Sequence, residues 1–550
     1  MRPAPRSPVT RHALASYVTV PAHAAMSSIR VHSSNVQYTD EDISSQYVYR
    51  ATRVTKNSDG SIEVRPVEKA LQFRTQRKPA RCGMMLIGWG GNNGSTVTAG
   101  ILANKHGITW RTKSGEQKAN YFGSITQSST VNMGMTADME EVFVPLSSVV
   151  PMVHPNDLVV GGWDCSSLSI GDAMRRAQVL DVTLQDSVYE HMKEMQPLPA
   201  LFDLDFVAEN QKERADNVIV AANKWEAMEK VRADIRNFKV ANKLDKVIVL
   251  WTANTERFSD HLPGVHDTAD NLLAAVKRNE REIAPSALYA IASVLEGCSY
   301  INGAPQNTFC DGLVELAKRH RVFVGGDDFK SGQTKMKSAL VEFFVGAGIK
   351  PECIASYNHL GNNDGCNLAS PKQFRSKEIT KSNVVDDMVA SNGILFPDGT
   401  PKPDHCIVIK YLPYVGDSKR ALDEYTFSIF MGGQQTVVMH NTCEDSLLAT
   451  PLIIDLVVLT ELMERVTVAT DAGDDASFEQ MDTVLSLLSY LLKAPRVPQG
   501  TPVVNALNRQ KQAIENVLRA LVGLPPDNNM LLECRVNSLR EMFAASAWPA

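Results

Sequence analysis

One stretch, MMLIGWGGNNGSTVTAGILANKHG over residues 84–107, constrains what this 550-residue chain can fold into more than any other. An apolar run enters Gly88, Gly90, Gly91 and Gly94 and leaves as a helical pattern. That order of strand, glycine turn and helix opens a Rossmann-like βα unit. Gly88, Gly90 and Gly94 spell GxGxxxG, one residue longer than the usual dinucleotide fingerprint. The acid expected about 20 residues further on is missing, with only Glu116 nearby. Read alone, the glycines fit either a structural turn or a close approach of a pyrophosphate to amides at a helix start. Asn92 and Asn93 are unusual there and are able to hydrogen-bond a ribose or a phosphate.

Further apolar runs with polar tips follow at Asp157 to Trp163, Lys246 to Asn254 and Arg321 to Asp327, separated by helical stretches at 170–181, 216–242, 268–282 and 335–347. Strands alternating with helices predict an α/β fold, a doubly wound parallel sheet with its ligand at the C-terminal strand tips. From about 350 to 440 the chain is richer in Asn, Lys and Asp, with β-type runs at Cys406 to Leu412 and Gln435 to His440. Helical periodicity returns at Glu444 to Val466, 478–493 and about 507–521, around an acidic surface loop at 471–477. The expected organisation is an extension over 1–35, an N-terminal arm and Rossmann-like domain over 36–335, an inserted α+β domain over 336–440, and helices over 441–550 that return to the first domain.

Composition excludes several classes. The chain holds 56 basic and 62 acidic side chains, a net charge of −6, which argues against a surface built to grip nucleic acid. An anionic ligand must instead be met by placed lysines. Nine cysteines are scattered singly with no CxxC pair, so neither a disulfide framework nor a zinc site is readable, and a reducing compartment fits. The longest apolar stretch, Leu447 to Leu462, is interrupted by Asp455 and Glu461 and reads as a buried helix, not a membrane span. The first 35 residues carry Arg2, Arg6, Arg11, His12 and Arg30 and no acid before Asp40, but no convincing amphipathic arginine face. They read as a disordered or mis-started extension, with Met26 as an alternative start.

Several strings carry candidate chemistry. GGDDFKSGQTKMKS (325–338) sets Lys330, Lys335 and Lys337 beside two aspartates, as phosphate ligands and proton-transfer groups or as a helix laced with salt bridges. The segment 356–387 holds five asparagines, four of them before Lys372, together with Arg375, Lys377 and Lys381. Lys377 and Lys381 are four apart and share a helix face, where like charges are unfavourable unless an anion lies between them. His359 reads as a satisfied loop histidine, and no metal site is assigned. In MHNTCEDS (439–446), Asp445 or Ser446 is placed to cap the following helix, and Lys493 to answer a helix dipole at its C-terminus.

Taken together, LIGWGGNNGST, GGWD, WTANTERF, INGAPQNTF, GDDFKSGQTKMKS, SYNHLGNNDGCNL, FRSKEITKSNVVDDMVAS, GDSKRALDEY, MHNTCEDSLLATPL and LSYLLKAP make the chain resemble the myo-inositol-1-phosphate synthases from about residue 35 to 525. The resemblance implies conversion of glucose 6-phosphate to 1L-myo-inositol 1-phosphate with tightly held NAD, in a cytosolic homotetramer with a Rossmann NAD-binding domain and an inserted catalytic and oligomerisation domain, and without a nucleic-acid or membrane partner. It implies NAD contacts from Gly90, Gly91, Asn92, Asn93, Asp164, Gln211, Arg214, Thr252, Ala253, Asn254, Thr255, Gly303, Asp328, Asp445 and Ser446. On that basis Asp164 replaces the missing acid. Ser331, Gln333, Asn362, Asn363 and Asp364 are implied on the substrate side, and Lys377, Lys381, Lys419 and Lys493 in the chemistry.

By the same resemblance C5 is oxidised, the C6 proton leaves, the enolate closes on the C1 aldehyde, and the ketone is reduced again. Lys377 is expected to shuttle the C5 proton, Lys493 to stabilise the C1 oxyanion, and Lys381 and Lys419 to bind phosphate and enolate. Asp328, Asp364 and Asp445 would orient the lysines. Ala304 and Ala200 depart from the family's usual serines, which bears on cofactor contacts and not on the reaction. The competing readings are a sugar-phosphate dehydrogenase that releases NADH and a non-catalytic NAD-sensing relative.

Overall fold

The computed structural model describes residues 29–470 and 477–544. Six strands form one parallel sheet, side by side as Leu198–Pro199, Val159–Asp164, Cys82–Ile87, Lys246–Trp251, Ser299–Asn302 and Val324–Gly325. In chain order this is 3-2-1-4-5-6, with the reversal between Cys82–Ile87 and Lys246–Trp251. A crevice opens beyond the strand ends at such a reversal, and ligands bind there. Every residue of Cys82–Ile87 is buried. Met84 and Leu86 point into one hydrophobic core and Met85 and Ile87 into the other, as the two-residue period of a strand covered on both faces requires.

A second sheet follows, ordered Asp404–Tyr411, Lys350–Leu360, Ser418–Ser428 and Gln434–Glu444, with the first pair parallel and the others antiparallel. The parallel pair needs a crossover, and the chain between those two strands supplies it as the helix Pro371–Ser382. A third sheet joins the long hairpin Asp42–Lys56 and Ile62–Gln76 to Val466–Ala469 and Glu479–Gln480.

The apolar stretch becomes the helix Asp445–Glu464, which is long and apolar enough to cross a membrane but is packed inside the protein, in the same core as Met84 and Leu86. Its two interrupting acids hold neighbours together. The Asp455 carboxylate accepts from the Ser124 hydroxyl (2.6 Å), the Thr126 hydroxyl (2.6 Å) and the amides of Ile125 (2.8 Å) and Thr126 (3.0 Å). Glu461 pairs with Arg465 at 2.8 Å and accepts from the Ala80 amide.

Several expected elements are corrected. The stretch 478–493 is not a helix. The Leu485 amide donates to Val324 O, the Val324 amide to Thr483 O, and the Lys330 amide to Leu491 O, so the segment extends the open edge of the parallel sheet and only Ser486–Leu491 coils, as a 3₁₀ turn. Tertiary pairing overrides the helical pattern there. The helix expected at 216–242 spans Lys224–Ala241, its start fixed by the Asn223 side chain accepting from the Glu226 amide. That at 170–181 ends at Ala177, where Gln178 turns left-handed (φ 53°), and a new helix runs Val182–Met192. The helix expected at 268–282 is shorter, Ala269–Lys277. The strand expected from Arg321 shrinks to Val324–Gly325, since Arg321 itself closes the preceding helix at φ 54°. Residues 1–28, including Met26, and most of the acidic loop at 471–477 lie outside the described residues.

Asp455→Ala leaves two hydroxyls and two amides buried without their acceptor. It should cost about 3 kcal/mol or more, read as a lowered unfolding midpoint.

Candidate active site

The crevice at the sheet reversal is a cleft of about 1500 Å³, counting the solvent at its mouth. One half of its wall comes from the parallel sheet. The glycine loop turns at Gly88 (φ +87°) into the helix Asn92–Lys105. A Cβ on Gly94 would sit 2.3 Å from Trp89 O, so helix and strand approach this closely only with glycine there. Gly91 caps that helix without any side-chain bond, and its first turn holds no acid, so its amides stay available to an anion. Asp164 closes the second strand, buried, its carboxylate accepting from the Ser166 amide at 2.9 Å. Beside it Arg214 lines the cleft with its Nε buried and unpartnered among the described residues. An open amide cradle, a ribose-level carboxylate and an unpaired guanidinium nitrogen together fit a nicotinamide dinucleotide.

The second sheet and its crossover helix provide the other half. Lys377 Nζ lies 3.0 Å from Asp328 Oδ1, and Lys493 Nζ 3.2 Å from Asp328 Oδ2. Thr380 adds a hydroxyl to Oδ2 at 2.9 Å. Lys419 pairs with Asp445 at 3.3 Å. Lys381, one turn after Lys377 and 3% exposed, meets no carboxylate among the described residues: its amine donates to the amide oxygens of Gln333 (3.1 Å) and Asn358 (3.2 Å). Asp364 accepts from the Thr255 amide and hydroxyl, and Asn363 donates to Gln211 and Asn254, so the two halves of the cleft are stitched together.

These partners set the charges. Burial works against ionising Asp328, but the Lys377 and Lys493 ammonium groups outweigh it and hold the carboxyl at about 2. Burial likewise opposes the charge on Lys377, yet Asp328, Asp364 and Asp445 keep its amine above the ordinary lysine range. Lys493 is drawn down to about 8, chiefly by burial, with Lys377 and Lys419 adding to it. Lys381 falls well below the ordinary range through burial and its crowd of neighbouring lysines. Lys377 is thus held protonated, whereas Lys493 and Lys381 are both drawn toward the neutral amine.

Most of the residues singled out in the sequence converge here: Gly91, Asn92, Asn93, Asp164, Gln211, Arg214, Thr252, Ala253, Asn254, Thr255, Gly303, Asp328, Ser331, Asn362, Asn363, Asp364, Lys377, Lys381, Lys419, Asp445, Ser446 and Lys493 all line the cleft. Gly90 and Gln333 stand one layer back. A Cβ on Gly90 would press on Asp164 at 3.1 Å, and Gln333 is 3% exposed behind Lys381. Ala200 and Ala304 are in the wall. Lys330, Lys335 and Lys337 do not reach it: Lys330 donates to Asn505 O and Gln510, and Lys335 lies 4.2 Å over the Tyr490 ring. Lys372 and Arg375 face outwards. Neither Asp445 nor Ser446 caps its helix by a side chain. Asp417 does so from outside, accepting from the Ser446 amide (2.8 Å) and hydroxyl (3.0 Å), and it also takes Asn92 Nδ2 at 3.0 Å. Sequence reasoning missed Asp417, although GDSK around Lys419 was the signal. Lys493 answers Asp328 and not a helix dipole.

Replacing Asp164 by Ala removes a buried acceptor from the cleft wall, where the resemblance implies a cofactor contact. NAD affinity, read by calorimetry, should fall about 10- to 100-fold.

Comparison with known proteins agrees with this geometry. A family model described as myo-inositol-1-phosphate synthase matches residues 82–519. The chain is 69% identical over 524 residues to the inositol-3-phosphate synthase of Trypanosoma brucei brucei, covering 94% of this chain and 99% of that one. It is 58% identical over 503 residues to the human inositol-3-phosphate synthase 1, covering 92% and 89%. The crystal structure of the Caenorhabditis elegans inositol-3-phosphate synthase superposes with a TM-score of 0.90 at 52% identity, covering 95% of this chain and 99% of that one. With cleft, sheet order and relatives in agreement, the chain belongs to the myo-inositol-1-phosphate synthase family of NAD-dependent enzymes.

Proposed function

We propose that this cleft carries out the family's reaction, conversion of glucose 6-phosphate to 1L-myo-inositol 1-phosphate, with the lysines dividing the work. The observation that carries this reading is a single buried carboxylate, Asp328, shared by Lys377 and Lys493 where the two halves of the cleft meet. When bound, NAD supplies hydride transfer in both directions at C5, so the cycle has no net redox change. Gly91, Asn92, Asn93, Asp164, Arg214 and Thr252 would hold it. Gln211, Ala253, Asn254, Thr255, Gly303 and Ser446 complete that wall.

On the substrate side Lys377 exchanges the C5 proton. In the resting cleft its amine is protonated, so it first releases that proton to water, then takes the C5 hydroxyl proton on oxidation and returns it when the ketone is reduced. The C6 proton, acidified by the ketone, next passes to an oxygen of the substrate's own phosphate. Lys493, still charged, faces the alkoxide that forms as the enolate closes on C1. Lys381 and Lys419 take the phosphate, whose negative charge restores the ammonium that burial suppresses on Lys381. Ser331, Asn362 and Asn363 orient the sugar, and Asp364 and Asp445 hold the frame. The segments 36–335, 336–440 and 441–550 would act as NAD-binding arm and domain, catalytic and oligomerisation domain, and closing segment.

A homotetramer in the cytoplasm, with no nucleic-acid or membrane partner, completes the reading. On the second sheet, Ser356, Asn358 and Asp423 face the lysines, while Tyr357, Leu422 and Val438 point the other way, 47%, 37% and 63% exposed. These exposed apolar side chains, set among Glu424 and His440 on the same face, support association through the sheet.

Enzyme given NAD and glucose 6-phosphate should form a phosphorylated cyclitol with no net absorbance of NADH. Stoichiometric NADH without cyclitol would mark a plain dehydrogenase and overturn the reading. Lys377→Ala should lower turnover at least ~10²-fold, as loss of a general acid or base does, and turnover within about tenfold of the unmodified enzyme would remove Lys377 from that role. Because Lys493 must stay charged, kcat/KM should decline as pH rises through about 8.

A further inference from the structure

The lysine string that failed to reach the cleft still has a place in it, one layer back. Lys337 is buried at 2% exposure, and its amine donates to the Ser356 hydroxyl at 2.8 Å and to His405 Nε2 at 2.7 Å. His405 Nδ1 lies 3.2 Å from Ser382 O, an acceptor only. Nδ1 therefore carries the ring proton and Nε2 is left free to accept from Lys337. Both partners of Lys337 are thus neutral.

Asp423, 1% exposed, stands directly across from Ser356 on the neighbouring strand. It accepts from Gln333 Nε2 at 2.5 Å and from the Tyr425 hydroxyl at 2.9 Å. Gln333 passes its other end to Lys381, and Asn358, the second partner of Lys381, is two residues from Ser356 on the same strand face. A buried cation and a buried anion therefore sit just behind the only cleft lysine of the quartet that touches no carboxylate. None of Lys337, His405, Ser356 and Asp423 lines the cleft.

We propose that Lys337 and Asp423 are positioning residues for the reaction: a charge pair behind the wall that sets how readily Lys381 carries the positive charge with which it grips the substrate phosphate. The idea rests on the reading of Lys381 as a phosphate ligand. The charged and titratable groups facing this pair are His405 from the strand Asp404–Tyr411, Tyr425 from the strand Ser418–Ser428, Lys381 from the crossover helix and, through Lys381, the cleft lysines Lys377, Lys419 and Lys493. Burial and the cations around it, Lys337 among them, push the Lys381 amine down. Asp423, linked to Lys381 by the Gln333 amide, carries the opposite charge.

Opposite signs make the test. Inorganic phosphate is titrated calorimetrically into the NAD-loaded enzyme from neutral to alkaline pH. Lys337→Met removes a neighbouring cation, so Lys381 stays protonated to higher pH, and the pH at which phosphate affinity declines should rise by about one unit. Asp423→Asn should move it down by a similar amount, and it keeps the proposal testable should Lys337→Met fail to fold. Tyr425→Phe loses a hydrogen bond to Asp423 but no charge and should leave the profile in place. Shifts of the same sign in both charge variants, no shift in either, or an equal shift in Tyr425→Phe would overturn the proposal. Cyclitol formation by the unmodified enzyme is assayed separately. Its failure would refute the functional reading, while the phosphate titrations would still decide the role of the charge pair.

Discussion

Everything in the cleft depends on how one buried carboxylate is shared. Asp328 is 1% exposed, yet it remains ionised because Lys377 and Lys493 approach its two oxygens from different parts of the chain and Thr380 adds a hydroxyl. Unpaired, such a charge would cost several kcal/mol to bury. Paired, it ties the end of the parallel sheet to the crossover helix and to the C-terminal segment, and it fixes two amines within reach of one substrate. The Lys493 amide donating to Asp328 O at 2.7 Å anchors the same junction through the backbone.

The four lysines are chemically one residue type with unlike environments. Lys377 has a carboxylate and stays charged, Lys493 shares that carboxylate and titrates near 8, Lys419 has its own partner in Asp445, and Lys381 has only amides. Such differences among like groups in one cavity let a site hold an acid and a suppressed cation side by side. The chain's net charge of −6 says nothing of this, because the positive charge is local and compensated by placed aspartates.

Much of this was legible in the sequence. Buried parallel strands leave continuous apolar runs, and a dinucleotide turn leaves glycines where a Cβ does not fit, so the sheet and the cofactor wall were read from MMLIGWGGNNG and its successors. The Lys377 and Lys381 pair followed from helical spacing alone. What could not be read was pairing at a distance. The segment 478–493 has helical periodicity, but an open sheet edge at Val324 claims it. Asp417 gave no periodic signal because its partners Asn92, Asn362 and Ser446 lie far away in sequence. Asp328 is implied both as a cofactor contact and as an orienter of the lysines, and its bonds to Lys377, Lys493 and Thr380 favour the second role, a distinction that only their geometry makes.

That distinction is also the most direct test of the account. Asp328→Asn keeps the shape and removes the charge that two lysines share. If Asp328 serves the lysines, turnover should fall by ~10²-fold or more while NAD affinity stays within a few-fold of the unmodified enzyme. Loss of NAD affinity with unchanged turnover once the cofactor is saturating would contradict it and make Asp328 a cofactor ligand alone.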